Sequence, residues 1–159
     1  MKTNIQKGIS IIQVVGGVSG ILTGLWGMYQ FLSNSNWLTL LFIPFIFLYF
    51  LSILAGIYLW KDKPRGFILS IIIQAIQIPQ FTLGGLLYYF CSGLELSPRL
   101  FFHDNGGGFN FKFWFGGNFL IKYAPQSSMT MIGINLFALF AFTFLLTQKK
   151  KLFSSNNNI

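Results

Sequence analysis

Carboxylates are nearly missing from this chain: Asp62, Glu95 and Asp104 are the three in 159 residues, against 11 lysines and arginines. Cys91 is the one cysteine and His103 the one histidine. A single cysteine excludes an intramolecular disulfide and a cysteine-based metal cluster. No segment pairs two carboxylates for acid and base work, and the signatures G-x-x-x-x-G-K-S/T, H-E-x-x-H and G-x-S-x-G are absent. The nearest approach to a catalytic group is His103, Asp104 and Asn105 before Gly106 to Gly108. It reads as a polar surface turn, because no nucleophile accompanies it. No catalytic residue, no metal and no cofactor is expected, and the chain is not expected to be an enzyme.

What the chain has instead is apolar length. Fifty-three per cent of residues are hydrophobic, 9% are charged and the mean hydropathy is +0.62, whereas a soluble domain carries roughly 25% charged residues. The net charge of +8 does not indicate nucleic acid, since the cations sit at the ends of apolar runs. The expected fold is an all-α integral membrane protein: a four-transmembrane-helix bundle with a β-hairpin in the extracytoplasmic loop between helices 3 and 4. One membrane domain is expected, with spans over 9–31, 38–60, 67–90 and 129–147, an outer loop over 91–128 and a cytoplasmic tail over 148–159. The first run is too long for the apolar region of a signal peptide and is read as an uncleaved span.

Small residues mark the expected helix contacts. Gly16, Gly20 and Gly24 repeat every four residues in the first span, and Ser52 and Gly56 do so in the second. Such spacing lets two backbones approach closely, so these residues are expected to pack the first hairpin of helices. The third span carries a polar stripe of Ser70, Gln74 and Gln77, with Gln80 just off it beyond Pro79. Proline has no N–H, so the carbonyl of Ala75 is expected to lose its helical donor and the helix to bend. The glutamines are then either glue between helices or the lining of a path for a neutral solute.

Beyond the spans, Phe109, Phe111, Phe113 and Phe115 alternate with Asn110, Lys112 and Trp114, and the run resumes at Phe119 after Gly116, Gly117 and Asn118. Two alternating runs about a glycine turn predict a hairpin with one phenylalanine face for contact. The segment from Ser92 to Gly108 is expected to be loop. Orientation follows from charge: with the N-terminus inside, Lys2, Lys7, Lys61, Lys63, Arg65, Lys149, Lys150 and Lys151 are cytoplasmic, against Arg99, Lys112 and Lys122 outside. The location expected is a bacterial inner membrane, multi-pass, with both termini cytoplasmic. The function expected is that of a non-enzymatic interaction or accessory subunit. Its partners would be the lipid bilayer and another membrane protein or a second copy, with no nucleic acid. The alternatives are a small oligomeric channel or transporter for a neutral solute, lined by Gln74, Gln77 and Gln80, and a lipid-handling protein or enzyme.

Overall fold

The computed structural model describes residues 4–32, 40, 42–103, 106–123 and 129–156. These residues form four helices, α1 (Asn4–Leu32), α2 (Phe42–Trp60), α3 (Pro64–Gln77) and α4 (Leu136–Asn156). Between α3 and α4 lie four strands, β1 (Pro79–Leu83), β2 (Leu86–His103), β3 (Gly106–Tyr123) and β4 (Thr130–Ile134), in one antiparallel sheet. Among the described residues two helices, over Asn4–Gln30 and Phe42–Trp60, are long and apolar enough to cross a membrane. The expected all-α bundle of four spans is therefore wrong. A third span over 67–90 and a fourth over 129–147 do not form.

The third apolar run breaks at Pro79. Helix α3 ends at Gln77, and Ile78 N–H turns back to the Ala75 carbonyl at 3.3 Å, supplying the donor that Pro79 cannot. The neighbouring carbonyl of Ile76 accepts from the Tyr88 hydroxyl at 2.9 Å, and that of Ile78 from the Asn135 N–H at 3.0 Å. From Pro79 onward the side chains alternate, and Gly84 and Gly85, at φ +56° and +80°, reverse the chain into β2. Positive φ at both central residues suits a tight hairpin. The fourth run breaks at Asn135, whose Oδ1 accepts from the N–H groups of Phe137 and Ala138 at 3.1 and 3.3 Å and so starts α4.

The hairpin also differs from expectation. Residues 109–123 form one strand rather than two, and its partner is the segment read as loop: β2 pairs with β3 from Leu86↔Tyr123 to His103↔Gly106. Pro98 and the glycines suggested a loop, yet Gly93 and Gly116 face each other in register, at φ +129° and +120°, and serve as a corner. The corner is sharp. Lys112 lies opposite Ser97, eight residues from Tyr89, or about 26 Å along a straight strand. Nevertheless Lys112 Nζ sits 4.2 Å from the centre of the Tyr89 ring, so the two halves of the hairpin fold toward each other.

Strand β2 is long enough to be paired twice on its other edge. Its start pairs with β1 (Phe81↔Tyr88), its end with β4 (Leu100↔Ile132), and β1 pairs with β4 (Phe81↔Ile132), which closes a ring. The gap between the two pairings is covered by side-chain amides. Gln77 Oε1 accepts from Ser92 N–H at 2.8 Å, Asn135 Oδ1 from Leu96 N–H at 3.3 Å, and Asn135 Nδ2 donates to the Leu94 carbonyl at 3.2 Å. Backbone groups that would be costly to bury unpaired are thereby satisfied.

Two cores hold the helices and the sheet. Ile9, Leu59, Phe67, Ala141 and Leu145 join all four helices at the end where Lys61, Lys63 and Arg65 lie. There Gln6 Nε2 donates to the Leu59 carbonyl at 3.0 Å and to Asp62. Phe45, Tyr49 and Phe90, with Phe119 stacked on Phe45 at 4.2 Å, join α2 to the sheet at the other end. The sheet thus stands where the outer halves of two further helices were expected.

Candidate functional site

Strict alternation places two chemistries on two faces of the sheet. On one face the register aligns Gln80, Gly133 and Arg99 across β1, β4 and β2, and puts Glu95, Ser97 and Lys112 beside them. The opposite face carries Leu94, Leu96, Leu100 and the phenylalanines of β3. The polar face is the concave, buried one.

Its centre is Glu95, whose side chain is 0% exposed. Glu95 Oε1 accepts from Arg99 at 2.6 Å and from Gln80 Nε2 at 3.1 Å, while Arg99 Nε donates to Gln80 Oε1 at 3.0 Å. Lys112 Nζ stands 3.4 Å from Glu95 Oε2 and donates to the Tyr89 hydroxyl at 3.2 Å. Both cations also lie over the Tyr89 ring, Arg99 at 5.4 Å and Lys112 at 4.2 Å. Gly133 makes room for the crossing, since a Cβ there would meet Arg99 Cγ at 2.9 Å. A buried carboxylate is retained only when opposite charge and hydrogen bonds compensate its lost hydration, and here both are present. Burial pushes the Cys91 thiol, on the same face, up to about 12, with the Glu95 charge adding to the rise. Burial likewise raises the Tyr89 hydroxyl, again helped by Glu95.

The residues singled out from sequence fall into separate roles. Ser70 donates to Gln13 Oε1 at 2.9 Å, joining α3 to α1. Gln77 holds the β2 edge and Gln80 the ion cluster, while Gln74 is buried with its Oε1 unpartnered. The four do not line one open path. Of the small residues, Gly24 and Gly56 face the opposite helix of the α1–α2 pair, a Cβ at Gly24 meeting Ile46 and one at Gly56 the Ser10 carbonyl. Ser52 donates to the Gln13 carbonyl at 3.2 Å and accepts from Ser92 at 2.8 Å. Gly16 meets the sheet, where a Cβ would overlap the Gly93 backbone, and Gly20 lies between the Tyr49 ring of α2 and Gly117 of β3.

On the apolar face, Phe109, Phe111, Phe113 and Phe115 are 67, 52, 66 and 53% exposed. They occupy the far half of β3, which among the described residues pairs with a strand along one edge only, α1 meeting its other edge at Gly117, whose N–H donates to Ser19 Oγ at 2.7 Å. Ile132, Ile134, Leu100 and Phe102 extend the patch across the sheet. Sequence reasoning found the phenylalanines and missed the ion cluster. The signal for it was the alternation L-E-L-S-P-R-L over 94–100, which puts Glu95, Ser97 and Arg99 on one side of a strand. No protein-family model, no curated protein and no solved structure matches this chain.

Proposed function

We propose that this chain is a non-enzymatic, membrane-associated interaction subunit that binds another membrane protein through the phenylalanine face of its sheet. The observation that carries it is the row of four exposed phenylalanines on the free-edged strand β3. A contiguous exposed apolar patch of that kind marks a surface for protein or lipid contact, and a free strand edge, which lipid tails cannot pair, offers its backbone groups to a protein. Helices α1 and α2 cross the bilayer in this reading. The end bearing Lys61, Lys63 and Arg65 faces the cytoplasm, in keeping with the excess of cations on that side. A bacterial inner membrane fits the charge asymmetry, with both termini cytoplasmic.

Support for binding rather than transport comes from Gln77 and Gln80, whose amides are engaged within one copy by Ser92, Glu95 and Arg99. The test is native mass spectrometry of the chain extracted in mild detergent, alongside a Phe111→Ser, Phe113→Ser variant. A second protein should accompany the intact chain in fixed ratio and be lost from the variant, while both retain their helical and strand content. A chain that extracts alone, or a partner that survives the double substitution, contradicts the proposal.

A further inference from the structure

The concave face holds more positive charge than its carboxylate balances. Among the described residues Arg99 and Lys112 share Glu95 as their one acidic partner, and their side chains remain 13 and 26% exposed, so the cluster is reachable from outside. Beside them, opposite Lys112 in register, Ser97 is fully buried with its hydroxyl unpartnered. Such a hydroxyl costs free energy unless a partner arrives. We propose that Lys112, Arg99 and Ser97 form a binding site for one singly charged phosphate-type oxyanion, supplied as a lipid headgroup or as free phosphate. The second cation then gains its counter-charge, Ser97 donates to an oxyanion oxygen, and Arg99 keeps Nη2 on Glu95 and Nε on Gln80 while its remaining nitrogen turns to the oxyanion. Tyr89 forms the floor, its ring against both cations.

The probes are inorganic phosphate, titrated calorimetrically into the delipidated full chain in a neutral detergent, and bilayer discs of phosphatidylcholine with or without phosphatidylglycerol, in which retained lipid is counted by mass. Saturable binding of one phosphate, weakened about tenfold by Ser97→Ala and more by Lys112→Gln, is expected from the loss of one charge-assisted contact. Lys63→Gln, at the far end of the molecule, should change nothing. Binding of phosphatidylglycerol but not free phosphate, with the same dependence on Ser97 and Lys112, identifies the headgroup as the source and supports the site. Continued protection of Cys91 from maleimide verifies that each variant is folded; should Lys112→Gln fail this check, Ser97→Ala, which removes a single oxygen, decides. Absence of saturable binding of either probe, or binding indifferent to Ser97→Ala, overturns the proposal.

Discussion

Glu95→Gln is the substitution that best probes the sheet interior, because it removes one charge while keeping the shape. Glu95 Oε1 is the acceptor for Arg99 at 2.6 Å and Gln80 at 3.1 Å, and Oε2 stands 3.4 Å from Lys112. Breaking a buried ion pair by deleting one partner costs about 3–5 kcal/mol. The cost here is smaller, since the stranded cations are 13 and 26% exposed and recover some hydration. A loss of about 2–3 kcal/mol follows, which for a chain of this size lowers the melting temperature by about 5–10 °C. Tryptophan fluorescence during heating in detergent reads this directly, with Trp114 opposite Glu95 as a local reporter. Adding Lys112→Gln should cost less than the sum of the two single changes, because the second removes a charge the first has stranded. An unchanged melting temperature in Glu95→Gln, or strict additivity in the pair, would refute the claim that this cluster is buried and coupled.

Gln77→Leu leaves the Ser92 N–H buried without its 2.8 Å partner and should destabilise by about 1–3 kcal/mol, with faster amide exchange at Ser92 than at Leu87. Asn135→Ala removes the cap of α4 and the bridge to Leu94 and Leu96, so a loss at or above the roughly 1 kcal/mol of a simple cap is expected in chemical denaturation. Gly117→Ala drives a methyl into the Gly20 backbone and should separate α1 from the hairpin, whereas Gly108→Ala, with open space around it, should be tolerated; melting of the two variants compares them. The Cys91 thiol keeps its proton in the folded chain well above its ordinary value of 9.0, up to about 12. The folded state therefore binds the extra proton between those values, and stability falls as pH rises through that window and is undiminished below it. Maleimide should accordingly spare Cys91 at neutral pH until the chain is unfolded.

Helices α1 and α2 were legible because each is one unbroken apolar run with an aromatic or basic end. The third and fourth runs were not, since the segment after Pro79 satisfies two periods at once. Ser70, Gln74 and Gln77 follow the helical spacing, and Phe81, Gly84 and Tyr88 continue it at steps of four and three. The alternative period of two, Gln80 and Thr82 against Phe81 and Leu83, spans only five residues in β1 and acquires meaning from β4 and β2 beside it. Strand pairing is a long-range property, and Pro98 and Gly93 argued locally for a loop. The phenylalanine alternation over 109–115 was readable, but the glycines at 116 and 117 were assigned to a turn although they mark a bend and a close approach to α1. Glu95, Arg99 and Lys112 escaped notice because nothing local joins residues that meet only when the hairpin folds.

The central claim is that the sheet turns its charges inward and offers its phenylalanines to another protein. A photo-crosslinking side chain placed at position 113, in cells and without extraction, tests this most directly, with position 97 on the opposite face as control. The expected result is one discrete adduct with a second membrane protein from position 113 and no protein adduct from position 97. Protein adducts from position 97, or capture of lipid alone from position 113, would contradict it.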